Sequence, residues 1–96
     1  MTAVFVTQTA QRDLETLIRT HSLPSTTRDR VKRSMEHLAR FPRIGAPLHG
    51  PWARFRFILG PWRWMIIVYQ YEEEADRVAI VTIQDGLSAR ASTSLA

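Results

Sequence analysis

The chain has no cysteine, which removes disulfides, thiolate catalysis and cysteine-ligated zinc from consideration. Lysine is nearly missing too: Lys32 is the single lysine among 13 basic residues, and the rest are arginine. Long apolar runs are also lacking. The longest, Trp64 to Tyr69, falls well short of the roughly 20 residues needed to cross a bilayer. The opening MTAVFVTQTAQRD has neither a basic region nor an extended apolar stretch, so it does not read as a secretory signal. What remains is 96 residues, 45% hydrophobic and 9% aromatic, enough for one small domain, residues 1–96, with a packed core. A soluble protein working in the cytoplasm, without a membrane partner, is the expectation.

Charge is unevenly spread. The net charge is +4, yet between Arg28 and Arg63 nine basic residues face two acids, Asp29 and Glu36. Four of the nine acids gather in one short run, Glu72, Glu73, Glu74 and Asp76. Guanidinium groups stay protonated at any physiological pH and match the geometry of phosphate and carboxylate. Such polarity points to nucleic acid or to an acidic protein partner. The plainer alternative is a hydrated face that serves solubility.

Periodicity divides the chain into elements. Ala3 to Val6 reads as a strand. Thr7 or Thr9 can cap a helix whose apolar positions are Ala10, Leu14, Leu17 and Ile18, with Arg12, Asp13, Glu15 and Arg19 on its outer face; it ends near His21. A second helix starts in Ser25-Thr26-Thr27, carries Val31, Met35, Leu38 and Ala39 inward, and stops at Pro42. The short connection implies a helical hairpin. A glycine- and proline-rich loop follows to Pro51, after which the period becomes two. Arg54, Arg56 and Ile58 then face one way and Phe55, Phe57 and Leu59 the other. Gly60-Pro61 is a turn, Trp62 to Tyr71 a central strand, Glu72 to Asp76 an acidic hairpin loop, and Arg77 to Ile83 a last strand. Residues 87–96 read as a short helix or a frayed tail. The fold class is therefore α+β: β-α-α-β-β-β, with the helical hairpin on one face of a mainly antiparallel sheet. The other sheet face is expected to stay partly open and to carry Arg54 and Arg56.

Metal chemistry finds no support. His21, His37 and His49 lie in different elements without i, i+4 partners, so neither a metal nor a cofactor is expected. Of the three, His49 sits in a loop where it can approach a ligand. Arg54, Arg56 and Arg63 are the candidates for a cationic patch that grips phosphates or stabilises developing charge. Arg77 is expected to pair with Glu74 or Asp76. Cross-strand salt bridging is the competing role for all these arginines. Trp52 and Trp62, flanking the basic strand, are candidates for stacking on a ligand, against the commoner role of core aromatics.

The order of elements resembles the RelE/ParE superfamily of toxins from bacterial type II toxin–antitoxin modules. FVTQTAQRDLETL (5–17) is similar to the family's opening strand and helix. LARFPRIG (38–45) resembles its helix end with a proline-isoleucine-glycine turn. RWMIIVYQY (63–71) and VAIVTIQDG (78–86) resemble its two central strands. The resemblance implies a growth inhibitor held inactive by an acidic cognate antitoxin in a hetero-oligomer. RelE-like members cut mRNA on the ribosome with basic strand residues and an aromatic or histidine near the C-terminus; ParE-like members inhibit DNA gyrase without that set. Here Arg54, Arg56 and Arg63 match the basic strand positions, but Gly86-Leu87-Ser88 stands where the RelE-like pattern has a basic pair. No aromatic follows, and Arg90 is the only charged residue of the tail. Cleavage of RNA needs a group to take the 2′-hydroxyl proton, and arginine cannot do so. The expectation is therefore a ParE-like, non-catalytic toxin, with Leu87 consistent with weakened toxicity. A ribosome-dependent endoribonuclease is the alternative, and a non-toxic nucleic-acid-binding module a further one.

Overall fold

A computed structural model describes residues 2–86; the tail from Leu87, including Arg90, lies outside the described residues. Strand β1 (Ala3–Val6) leads into helix α1 (Gln8–Thr20) through Thr7. The Thr7 hydroxyl accepts from the Ala10 N–H at 3.2 Å and donates to the Ile80 carbonyl at 2.8 Å, so one side chain caps the helix and fastens it to the sheet. Ala10, Leu14 and Leu17 are the buried positions of α1, as their spacing requires. Asp13 departs from expectation. It is half-buried, and its carboxylate accepts from the Thr82 hydroxyl at 2.5 Å and the Ile83 N–H at 3.2 Å. A helix of this size buries a wider arc than its apolar residues mark, and Asp13 lies at the margin of that arc.

Helix α1 closes on Ser22, whose φ of 50° lets the Leu23 N–H reach back to the Ile18 carbonyl at 3.0 Å. Helix α2 (Thr27–Arg40) begins without a hydroxyl cap. The fully buried Thr27 instead donates to the Pro24 carbonyl at 2.6 Å and locks the interhelical turn. Val31 and Leu38 are buried under α2, and the chain leaves the helix at Phe41.

The sheet has five strands where four were expected. Within the loop, β2 (Ala46–Pro47) pairs with β3 (Phe55–Leu59), and a 3-10 turn over Gly50–Trp52 joins them. Strands β4 (Met65–Glu72) and β5 (Arg77–Asp85) complete the order β1-β5-β4-β3-β2. β1 runs parallel to β5 and every other pair is antiparallel. The two helices cover one face, where Met65, Ile67, Tyr69, Val78, Ile80 and Ile83 meet Leu14, Leu17, Val31 and Leu38.

Register assigns the faces. Arg56 lies opposite Tyr69 and Ile58 opposite Ile67, so Arg56 is on the helix-covered side. Phe55 and Phe57, opposite Gln70 and Val68, are on the other. The alternation is as read from the sequence, but the face is reversed: a period of two separates odd from even positions without naming the buried set. Tyr69 and Ile67, fully buried beneath the helices, name it.

Candidate binding surface

Arg56 is engaged before any ligand arrives. Its Nη1 donates to the Gly45 carbonyl at 2.8 Å and to the Arg43 carbonyl at 3.2 Å. The Gly45 N–H in turn donates to the buried Tyr69 hydroxyl at 2.9 Å. A side chain at position 45 would stand 2.7 Å from both the Phe57 carbonyl and the Tyr69 ring, so the glycine is required by close approach. Arg56, Gly45 and Tyr69 thus brace the turn after α2 against the sheet. Burial pushes the Tyr69 phenol above its ordinary pKa, which keeps it neutral in this role.

The other basic candidates are not gathered around Arg56. Arg54 precedes β3 and lies over the Phe55 ring, 4.9 Å from its centroid. Trp52 is 49% exposed, with its ring 6.4 Å from that of Phe55. With Leu48, Val68 and Val81 these aromatics line a depression of about 230 Å³ on the face away from the helices. His49, exposed, sets the start of the 3-10 turn through its carbonyl, which accepts from the Trp52 N–H at 3.2 Å. Arg63 sits beyond the opposite end of β4, before Met65. Phe55 lies opposite Gln70, so at about 3.3 Å per residue Arg54 is roughly 20 Å along β4 from Met65, the end beside which Arg63 lies. The expected patch of Arg54, Arg56 and Arg63 is therefore not one patch: Arg54 has aromatic company, Arg56 has carbonyls, and Arg63 stands apart.

A second cluster, at the Arg63 end, has no signature in the sequence. His21 stacks on Trp64 with centroids 4.5 Å apart, its Nε2 lies 3.0 Å from Asp85 Oδ2, and its Nδ1 lies 3.0 Å from the Thr20 hydroxyl. Trp62 continues the stack at 6.0 Å, and the Arg30 guanidinium lies 4.7 Å above it. Trp62 is consequently packed against the core rather than offered to a ligand. The ends of α1, β4 and β5 meet here, brought together from positions 64 residues apart in sequence.

The acidic hairpin is not simply hydrated. Arg77 reaches across to Glu72, with Nη2 at 2.6 Å and Nε at 3.2 Å, rather than to Glu74 or Asp76. The reason is register: Glu72 and Arg77 are a cross-strand pair. Arg43 pairs with Glu73. Asp76, at φ 47°, accepts from the Thr2 hydroxyl at 2.7 Å and the Tyr71 hydroxyl at 3.0 Å, and these two donors hold its carboxyl below the usual range.

The chain matches, over residues 4–89, the model of the ParE toxin of the type II toxin–antitoxin system parDE. It belongs to the ParE toxin family. It is thus the toxin of a type II toxin–antitoxin system, within the RelE/ParE superfamily. The toxin–antitoxin complex RelBE2 of Mycobacterium tuberculosis contains a chain 27% identical to this toxin, with a TM-score of 0.64 over 88% of this chain and 96% of that one. The isolated RelE toxin of Escherichia coli matches over 100% of both chains at 17% identity and a TM-score of 0.64. A metal-bound toxin from Helicobacter pylori matches at 17% identity and a TM-score of 0.68, over 92% of this chain and 98% of that one. The last two share the fold. No curated protein sequence matches the chain.

In this toxin the guanidinium groups can hold anions but cannot accept protons. Among the described residues, His21 is the histidine best placed near a carboxylate, and both of its ring nitrogens are already engaged. No group of three histidine, aspartate or glutamate side chains is arranged to bind a metal among the described residues. No helix among them is long and apolar enough to cross a membrane.

Proposed function

We propose that this toxin inhibits growth by binding DNA gyrase, without catalysing a reaction of its own, and that a cognate acidic antitoxin neutralises it in the cytoplasm. The observation that carries the reading is the state of Arg56. Its Nη1 is bound to the Gly45 and Arg43 carbonyls, and the other two strand-region arginines lie at opposite ends of the sheet. An RNA-cleaving site needs cations and a proton acceptor converging on one phosphodiester, and the described arginines diverge. The match to the ParE toxin model supports the same side. Arg54, Trp52 and the depression beside Phe55 then form a contact surface: an aromatic anchor beside a cation is a favoured composition for a protein interface.

The test is expression of the toxin in growing cells, followed by mapping of mRNA 5′ ends and assay of gyrase-dependent DNA breaks. Growth arrest with DNA breaks and unaltered mRNA ends is the expected result. New mRNA ends at ribosomal codons, with intact DNA, would overturn the reading.

A further inference from the structure

The depression beside Phe55 sits at an irregularity of β5. Val68 of β4 lies opposite Thr82 and Tyr69 opposite Ile80, so Val81 is an extra residue with no partner across the ladder. Such a bulge increases the local twist and re-aims the side chains around it. Here Val81, Thr82 and Gln84 line one side of the depression, and Leu48, Trp52 and Phe55 the other. No charged residue belongs to the lining. The Thr82 hydroxyl is already given to Asp13, whereas the Gln84 amide has no partner among the described residues.

Size limits what can enter. At about 230 Å³ the depression is smaller than the roughly 300–1,000 Å³ of pockets that enclose small-molecule ligands. It has room for one large side chain. Its rim carries a cation: the Arg54 guanidinium lies 4.9 Å from the Phe55 centroid. Arg54 is exposed and has no carboxylate within salt-bridge distance among the described residues. Arg77 and Arg43, by contrast, are held by Glu72 and Glu73. An uncommitted guanidinium beside an apolar socket is complementary to an apolar side chain with a carboxylate close to it.

We infer that the depression receives one large apolar side chain of gyrase, carried beside a carboxylate that pairs with Arg54, and this inference rests on the proposed gyrase reading. The anchor packs against Leu48, Phe55 and Val81, and Trp52 passes from half exposed to buried as it closes on the incoming segment. The Gln84 amide fixes the orientation of that segment by bonding one of its polar groups. Apolar burial supplies most of the affinity, and the Arg54 pair selects a segment with an acid at that place.

The experiment uses full-length toxin carrying the photo-crosslinking substitution Trp52→benzoylphenylalanine, irradiated with purified gyrase, with the joined residue mapped by mass spectrometry. The expected product joins position 52 to an exposed apolar segment of gyrase that contains an aspartate or glutamate. In parallel, Trp52→Ala and Arg54→Glu each weaken gyrase binding on the order of tenfold. Arg12→Glu, the same charge change on the exposed side of α1, alters it by less than about twofold. Equal weakening by Arg54→Glu and Arg12→Glu overturns the pairing, because Arg54 then acts only through net charge. Gyrase binding untouched by Trp52→Ala and Arg54→Glu, or a crosslink to a second copy of the toxin, overturns the inference and leaves the gyrase reading intact. Failure of the unsubstituted toxin to bind gyrase overturns both.

Discussion

Arg56 shows how a residue of catalytic type can be committed to structure. Its guanidinium holds two carbonyls of the Phe41–Gly45 turn, and the partner of that turn, Tyr69, is fully buried. Arg56→Ala is expected to cost about 1–2 kcal/mol, the scale of hydrogen bonds to a charged group at a half-exposed site. A lowered urea midpoint with unchanged slope checks it. Arg54→Ala, which removes only a contact over the face of the half-buried Phe55 ring, should stay within about 0.5 kcal/mol of the parent. Equal midpoints for the two variants would remove the structural role assigned to Arg56. Asp76 gives a pH prediction. Its folded pKa is depressed below the ordinary 3.8 by the Thr2 and Tyr71 hydroxyls. The stability it contributes is therefore present above pH 3.8 and is lost as pH falls through the folded value. Tyr71→Phe should raise the Asp76 carboxyl toward its ordinary value, measured by NMR titration, and reduce the difference in stability between neutral and acidic solution. An unchanged titration would show that the hydroxyl does not act on the carboxylate.

The elements were legible in the sequence to the extent that one strong periodic signal governed them. Both helices, β1 and β5 appear where their apolar spacing and the Thr7, Pro24 and Pro42 punctuation place them, whereas β4 begins at Met65 and leaves Trp62, Arg63 and Trp64 in the turn before it. What escaped was relational. β2 is two residues long and contains a proline, so only its pairing with β3 defines it as a strand. The side on which Arg56 falls was decided by Tyr69 and Ile67 of the neighbouring strand, not by anything within β3. Asp13 resembled any solvated helix carboxylate until β5 supplied the Thr82 hydroxyl and the Ile83 N–H. The His21–Trp64–Asp85 junction joins three elements, and no local pattern announces it. His21→Ala is expected to cost about 1 kcal/mol, the scale of a stacked aromatic pair. It should also shift the tryptophan emission to longer wavelength as Trp64 gains water. An unmoved spectrum would place the stack outside the folded ensemble in solution.

At the scale of the molecule, the sequence resemblance and the family match converge on a type II toxin, and the sheet with its two covering helices carries that identity. The candidate site was only partly legible. The basic residues were visible, but their separation was not: Arg54 and Arg63 look close across the Gly60-Pro61 turn in sequence, while the extended β3 and β4 carry them to opposite ends. That separation is the physical basis for reading the toxin as an inhibitor that binds rather than cuts. Its excess of positive charge also makes association with any acidic surface sensitive to salt. The most direct measurement uses purified toxin, gyrase and supercoiled plasmid, with DNA cleavage complexes trapped by denaturant. Linear DNA is expected to accumulate with toxin concentration, and the cognate antitoxin to abolish it. Plasmid left intact, while the same preparation cleaves mRNA on translating ribosomes, would contradict it.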